Sequence, residues 1–264
     1  MIFLKSERVI YKQNPLIEVV CQLRFPPILK ISHQEPVEFQ DEIRSMYPLF
    51  ETNELKLPTE ILNFTKQAGI ALPIETTYSF KSEDQKWCLS ISKDFIAIAT
   101  SSYERYEQFS GRFQDVIEIF ERIYKPSFYT RLGLRYKDLI VRSKLGVEDK
   151  KWSELIAKHI ASELYDLEFS SLIQGISKNL ILKVEDLEGG FVNLSHGLVT
   201  TKNSINNLDE TAYLFDADFY IEQKIEGQKN AWDILNRFNQ CGGNLFRGSI
   251  TDTLRNAMEP SSID

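Results

Sequence analysis

The sequence predicts an α+β fold with a predominantly antiparallel sheet and helices packed on one face of that sheet. Three observations lead to this prediction. Several short segments alternate apolar and polar residues with a period of two, which is typical of strands with one buried face. Longer segments repeat apolar residues every three or four positions, as amphipathic helices do. The order of these segments is similar in the two halves of the chain, which predicts two pseudo-duplicated lobes.

The first predicted strand is the segment NPLIEVVCQLRFPP, and it ends at Pro26-Pro27 because proline gives no amide proton to a strand ladder. A helix is predicted over residues 32–47 and a meander of three strands over 73–100. A long helix follows over 106–124. The alternation places these residues on the buried face of the first strand: Ile17, Val19, Cys21, Leu23 and Phe25.

Ser101 and Glu104, which precede the long helix, have the spacing of a capping box. In the second half, FYTRLGLRYKDLIV is predicted to be a long strand and residues 152–164 a helix. Four strands are then predicted, SLIQGIS, LILKVE, GGFVNLSH and TAYLFDADFYIEQ, with Asn179 dividing the first two. A helical stripe begins near Lys229, and the Gly242-Gly243 pair predicts a kink or a break in it.

The chain has 264 residues, of which 42% are hydrophobic and 12% aromatic, so it can form a large core. This length suits one large domain or two closely packed lobes. We expect an N-terminal α+β lobe over residues 1–126 and a C-terminal α+β lobe over 127–264. No Pro/Gly/Ser-rich linker separates them.

The net charge of −7 argues against a surface that grips a phosphate backbone, so nucleic acid is not an expected partner. The charged N-terminal residues do not form the apolar core of a signal peptide, and no apolar run has the length of a membrane span. The three cysteines are far apart and do not predict disulfides or a zinc ribbon. We therefore expect a cytoplasmic protein without a cofactor.

Three stretches of the sequence resemble a known protein family: Asn14-Pro15-Leu16-Ile17-Glu18 leading to Arg24-Phe25, Arg131 to Tyr136, and Leu245-Phe246 with Ser249 to Asp252. Their order and spacing are similar to a sporadically distributed, uncharacterised prokaryotic family of about this length. The family commonly has Asn where this chain has Asp138. The resemblance implies a bacterial or archaeal cytoplasmic protein and assigns no catalytic residue.

Charged residues lie on one face of three predicted strands. Alternation places cations on one face of RLGLRYKDL and anions on one face of YLFDADFYIEQ, and the polar face of the first strand adds to them. This face is either a solvated surface with cross-strand ion pairs or the floor of a cleft for an anionic or zwitterionic ligand. The candidate ligand-binding residues are Glu18, Arg24, Arg131, Arg135, Asp216 and Asp218.

No complete catalytic motif occurs in the sequence. There is no GxSxG elbow, P-loop or GxGxxG turn, and the three histidines lie in no metal-binding spacing. The Asp216-Ala217-Asp218 segment by itself is a weak metal motif, so no metal site is assigned. These observations favour a non-catalytic interaction or sensor protein with a protein partner or self-association. The alternatives are a protein that binds a small anionic ligand on the charged face and an enzyme of unrecognised type.

Overall fold

The computed structural model describes residues 8–54, 76–184, 187–203 and 206–262. Its strands form one nine-stranded antiparallel sheet and one two-stranded ribbon, so the predicted α+β class with a mainly antiparallel sheet is confirmed. The strands are β1 (Val9–Tyr11), β2 (Leu16–Arg24), β3 (Leu49–Glu54), β4 (Thr76–Lys81), β5 (Trp87–Ser92), β6 (Phe95–Thr100), β7 (Arg131–Val141), β8 (Ile176–Lys183), β9 (Gly190–Lys202), β10 (Asp209–Ile221) and β11 (Pro260–Ser262).

The helices are mostly short, with two long exceptions. They are α1 (Leu29–His33), α2 (Val37–Ile43), α3 (Tyr106–Tyr124), α4 (Arg142–Leu145), α5 (Trp152–Leu155), α6 (Leu167–Ser170), α7 (Gln228–Ser249) and α8 (Asp252–Ala257), with a 3₁₀ turn over Ser162–Tyr165. Aromatic contacts hold the long helices against one face of the sheet. Phe120 of α3 lies 5.0 Å from Phe25, and Phe238 of α7 lies 6.0 Å from Phe219, measured between ring centroids. None of the helices in the described residues is both long and apolar enough to cross a bilayer.

The order of the large sheet is β3-β4-β5-β6-β2-β7-β10-β9-β8. The first half of the chain supplies the strands from β3 to β2, and the second half supplies those from β7 to β8. In each half the first long strand lies beside the last strand that this half contributes to the large sheet, and the two long strands β2 and β7 pair with each other at the centre. The sheet is continuous across the predicted boundary between residues 126 and 127, and the division into two lobes stays a prediction.

Three predictions for the first half differ from the structure. Residues 32–47 form two short helices, because Pro36 disfavours helical backbone at the residue before it and Gln34 is already extended. Helix α3 begins after the extended Arg105 without a side-chain cap, so the predicted capping box lies too far upstream. Ile17 is the extra residue of a β-bulge in β2 and its side chain is exposed, whereas the alternation predicted burial.

In the second half, backbone pairing ends a predicted helix early. Helix α5 stops at Leu155 because Ile156 forms an antiparallel bridge with Ile250 and the amide of Ala157 donates to the carbonyl of Ser249 at 2.9 Å. Asn179 lies inside β8 instead of dividing two strands, and its amide oxygen accepts from Ser195 at 3.1 Å. The residues 171–175 of SLIQGIS precede that strand. Residues 73–75 and Glu185 of the predicted strands lie outside the described residues.

Helix α7 continues through Gly242-Gly243, so the predicted break is wrong, and the alternative of one kinked helix stays a prediction. A side chain at Gly242 would place its Cβ 3.0 Å from the Tyr136 ring of β7, which is closer than ordinary carbon contacts. Glycine therefore lets the helix approach the centre of the sheet. Tyr136 and the neighbouring turns of α7 line a cavity.

Candidate functional site

The charged face predicted from the sequence lies on the side of the sheet opposite the long helices. In the register of the sheet, Asp218 of β10 is opposite Arg135 of β7, and Glu18 of β2 is opposite Lys137. Arginines and aspartates of the two long strands thus share one face, as the alternation predicts. The structure also confirms that their side chains meet.

Most of these charged residues form ion pairs with one another. The Arg135 guanidinium donates twice to Asp216, with an Nε to Oδ1 distance of 2.6 Å, and this pairing raises the pKa of Arg135 above its usual value. Arg131 donates to Asp218 at 2.9 Å and to the side-chain oxygen of Gln22 at 3.1 Å. Burial raises the pKa of Asp218 although the two arginines oppose that shift. The charges of these arginines and aspartates therefore already neutralise one another.

The remaining two candidates contribute less to a common site. Arg24 lies opposite Arg131 in the strand register, but its Nη2 approaches Asp94 in the β5–β6 region of the sheet at 3.7 Å, and its side chain is half-exposed. Glu18 is partly exposed and adds negative potential near Arg135. An anion floor needs guanidinium groups that lack carboxylate partners. The observed pairs favour the structural interpretation, and a ligand role for the six residues stays a prediction.

A cavity of about 360 Å³ lies on the other side of the sheet, between β7, helix α7 and the first described residues of the chain. Aromatic, amide and basic side chains line it together with one buried carboxyl. The lining residues used below are Arg8, Tyr11, Asn14, Tyr103, Tyr136, Asp138, Asn239, Asn244, Phe246 and Arg247. The ligand-binding residues predicted from the sequence include none of these lining residues.

Asp138 is the most unusual residue of the cavity. It follows Leu132, Leu134 and Tyr136 in the alternation of β7, so its side chain lies on the apolar face of the sheet, where it is 7% exposed. Within the described residues its carboxyl accepts no hydrogen bond and forms no ion pair. Burial, assisted by the negative charge of Asp216, raises the pKa of Asp138 from 3.8 to about 8. The carboxyl is therefore mainly protonated at neutral pH.

Backbone contacts fix the chain around Asp138. The amide of the next residue, Leu139, donates to the carbonyl of Pro15 at 2.9 Å. Asn14 holds the same segment in an Asx turn, since its side-chain oxygen accepts from the amide of Leu16 at 3.0 Å. These bonds keep the start of β2 against the end of β7, where Asp138 faces the cavity.

Aromatic rings form the walls of the cavity near Asp138. Tyr11 and Phe246 meet edge to face at 6.2 Å, and Tyr103 and Tyr136 meet at 6.1 Å with an interplanar angle of 85°. Tyr136 donates its hydroxyl to the side-chain oxygen of Asn239 at 3.0 Å. The Tyr11 hydroxyl is buried and has no hydrogen-bond partner in the described part of the chain. Burial raises the pKa of Tyr103 to about 12, so this phenol is neutral at physiological pH.

A basic region borders the same cavity. Arg247 of α7 donates to the side-chain oxygen of Asn244 at 2.9 Å. Burial lowers the pKa of Arg247 below its usual value, and the positive charges of Arg255 and Arg8 lower it further. Arg8 itself donates to Glu107 of α3 at 2.8 Å.

The two-stranded ribbon lies at the edge of this cavity. Its strand β1 contributes Tyr11 and pairs with β11 from the end of the described chain. Arg8 binds Glu107 of α3, and Lys12 lies 3.3 Å from Glu259 just before β11. Both described ends of the chain are thus held beside the cavity by contacts that are mostly exposed to solvent.

The search against family models found no match for this chain, and the search of curated proteins also found none. The resemblance to a prokaryotic family stays a prediction, and each of its three stretches contributes a residue to the cavity lining, namely Asn14, Tyr136 and Phe246. No group of three or more potential metal ligands converges within the described ranges of the chain.

The sequence did contain a signal for this cavity. An aspartate at a position that alternation assigns to the apolar face of a central strand is uncommon, because a buried carboxyl without a partner is costly. The aromatic and basic members of the cavity come from segments far apart in the chain, and no short pattern joins them.

Proposed function

We propose that this protein is a cytoplasmic sensor that binds a small molecule in the cavity between β7, α7 and β1. The observation that carries the proposal is the carboxyl of Asp138, which is buried at the cavity wall without a partner in the described residues. Protein interiors rarely keep such a group unless a ligand, an ion or water completes its hydrogen bonds. The aromatic walls and convergent amides around it are typical of small-molecule sites.

This proposal differs in location from the anionic-ligand hypothesis for the charged face. Arg135 and Arg131 of that face already bind Asp216 and Asp218, so an added anion would have to compete with two carboxylates. The cavity offers the opposite situation. Its carboxyl has unused hydrogen-bonding capacity, and a ligand there would be shielded from bulk water.

The ribbon of β1 and β11 suggests how a protein partner could detect ligand binding in the cavity. Tyr11 lines the cavity, and its strand pairs with the last described strand, so a ligand that contacts Tyr11 stabilises both described ends of the chain. The ribbon's side-chain ion pairs are exposed and add little stability of their own. A protein partner, or a second copy of the chain, would then respond to the order of the ribbon. This sensor role also agrees with the absence of a complete catalytic motif in the sequence.

A thermal-shift screen of a soluble-metabolite library against three proteins tests the proposal. The wild type is compared with Asp138→Asn, which keeps the size of the side chain, and with Asp216→Asn, a matched change on the opposite face. A cavity ligand should raise the melting temperature of the wild type and of Asp216→Asn, and its effect on Asp138→Asn should be much smaller. Ligands that stabilise Asp138→Asn as well as the wild type, or a library without any stabilising compound, would contradict the proposal.

A further inference from the structure

Two buried polar groups of the cavity have hydrogen-bonding capacity that the protein does not use. The Asp138 carboxyl is 7% exposed and has no hydrogen-bond or ion-pair partner within the described residues. The hydroxyl of Tyr11 in β1 is also buried, and the described part of the chain gives it no partner. Because the charge of Asp138 acts on the Tyr11 phenol, a ligand in this part of the cavity would meet both groups.

A protonated carboxyl needs two different atoms in its partner. Its O–H donates one hydrogen bond and its other oxygen accepts one, and the two bonds lie in one plane. Burial raises the pKa of Asp138 to about 8, so a ligand meets this protonated form at neutral pH. An ammonium group offers donors alone and requires the carboxyl to lose its proton first. A hydrogen-bond acceptor and an N–H donor on neighbouring atoms satisfy both oxygens of the acid at once.

The aromatic walls beside Asp138 favour a flat ligand. Tyr11 and Phe246 meet edge to face at 6.2 Å, and Tyr103 and Tyr136 meet in the same way at 6.1 Å. Such rings interact favourably with a further aromatic ring in an offset-stacked or edge-to-face arrangement, at about 4.5–7 Å between centroids. The cavity volume of about 360 Å³ is near the lower end for small-molecule sites, which span roughly 300–1,000 Å³. A ligand with one or two rings therefore suits this space.

We infer that the cavity binds a planar heteroaromatic base with an amino group beside its ring nitrogen, as in 2-aminopyridines and aminopyrimidines, paired edge to edge with the carboxyl of Asp138. The carboxyl O–H donates to the ring nitrogen, and one amino N–H donates to the other carboxyl oxygen. The proton moves toward the ring nitrogen as the pair forms, so a neutral base enters and the charge-assisted pair gains no net charge. The second amino N–H is available to the hydroxyl of Tyr11. This inference rests on the proposed function and specifies the ligand of the same site.

The pH dependence of binding distinguishes such a base from an ammonium compound. The pair with the base contains the proton that Asp138 holds below about pH 8, so its affinity should fall by about tenfold for each pH unit above 8. An ammonium ligand requires the ionised carboxyl and should instead bind more tightly as the pH rises toward 8. The titratable and charged groups around Asp138 are Arg8, Tyr11 of β1, Tyr103 before α3, Tyr136 of β7, Asp216 of β10, and Arg237 and Arg247 of α7. The arginines stay charged in this range, and burial raises the pKa of the three tyrosines.

Three probes with the same two-ring body test the inference on the full chain. They are 5-phenylpyridin-2-amine, its isomer 5-phenylpyridin-3-amine, whose amino group is not beside the ring nitrogen, and the ammonium compound 4-phenylbenzylamine. Calorimetry measures their binding at several pH values between about 6 and 9.5. The 2-amine should bind at least about tenfold more tightly than either other probe at about pH 7.5 and should lose affinity above pH 8. Equal affinity for the 3-amine, tighter binding of 4-phenylbenzylamine, or no binding by all three overturns the inference.

Two variants assign the contacts of the probe. Asp138→Asn keeps a donor and an acceptor but cannot give up a proton, so binding of the 2-amine should weaken by at least about tenfold and its decline above pH 8 should disappear. Tyr11→Phe should weaken the 2-amine severalfold and keep both the preference over the 3-amine and the pH dependence. The matched control is Asp41→Asn, at an exposed aspartate of α2, which should bind as the wild type does.

Denaturation midpoints establish that each variant is folded. Wild-type affinity of Asp138→Asn for the 2-amine overturns the inference, and so does a 2-amine affinity that stays constant above pH 8 in the wild type. If the library screen returns ligands that depend on Asp138 but lack an amino group beside a ring nitrogen, the proposed function stands and this inference fails.

Discussion

Replacing Asp138 by Asn should stabilise the protein at neutral pH, although the residue is central to the proposed site. In the folded chain the pKa of this carboxyl is about 8, against 3.8 for an ordinary aspartate. Folding at pH 7 therefore requires the carboxyl to take up a proton that the unfolded chain does not hold. The difference of about three pH units, at roughly 1.4 kcal/mol per unit, corresponds to about 4 kcal/mol of lost stability.

The sign of the effect follows from the raised pKa. An acid whose pKa is higher in the folded state contributes most stability below its unfolded pKa, and this contribution declines as the pH rises from 3.8 to about 8. Asparagine has the shape of the protonated acid and does not titrate. The two proteins should therefore have similar free energies of unfolding near pH 4, and Asp138→Asn should become more stable by about 1.4 kcal/mol for each further pH unit up to about 8.

Urea denaturation, followed by tryptophan fluorescence at about four pH values between 4 and 8.5, measures this difference. The control is Asp41→Asn, a change at an exposed aspartate of α2 that is not among the groups acting on Asp138, and this variant should keep the pH dependence of the wild type. Parallel stability profiles for the wild type and Asp138→Asn would refute the reasoning, because they would mean that the carboxyl is ionised in the folded protein. A variant that gains stability while losing ligand binding is the behaviour expected at a functional site.

The other predictions concern stability and separate the two faces of the sheet. Arg135→Ala should lower the free energy of unfolding by about 1 kcal/mol or less, because this arginine is 42% exposed. The same change should leave ligand binding in the cavity unchanged, which calorimetry checks. Gly242→Ala should lower the free energy of unfolding by about 1–3 kcal/mol through the clash with the facing tyrosine. Gly111→Ala in α3, with open space around its Cβ, should raise it by up to about 1 kcal/mol, and equal effects of the two changes would contradict the close-approach argument. Ile17→Thr should change the free energy of unfolding by less than about 0.5 kcal/mol, because Ile17 is exposed, whereas Leu23→Ala should lower it by about 2–5 kcal/mol. A large loss for Ile17→Thr would argue against the bulge.

Sequence reasoning found the architecture because hydrophobic periodicity is a local property. The alternation in β7 and β10 and the apolar stripe of α3 correctly predicted these elements and the face that each one buries. It also predicted that Arg135 and Asp216 lie on one side of the sheet, since side chains of a strand alternate regardless of its neighbours.

Local sequence patterns predicted secondary structure less reliably where a segment contacts residues that are far away in the sequence. The helix predicted over 152–164 ends early because Ile156 pairs with Ile250, almost a hundred residues away. The Gly242-Gly243 pair does not break α7. Because Gly242 has no side chain, the helix can pack closely against Tyr136. In both cases a tertiary contact outweighs a propensity of about 1 kcal/mol or less per residue.

The sequence by itself determined an α+β chain with a charged face on its central strands and an apolar face beneath its long helices. Only the tertiary structure decided which face contains a cavity. On the charged face, Arg135 and Arg131 found carboxylates on the neighbouring strand, so the pattern that suggested a ligand site became a set of ion pairs. In the part of the chain that the structure describes, Asp138 has no such partner, and the elements around it bring aromatic, amide and basic side chains to the cavity. Its unusual character arises from burial, which depends on the packing of β1 and α7 over β7 and is not encoded in any short stretch of sequence.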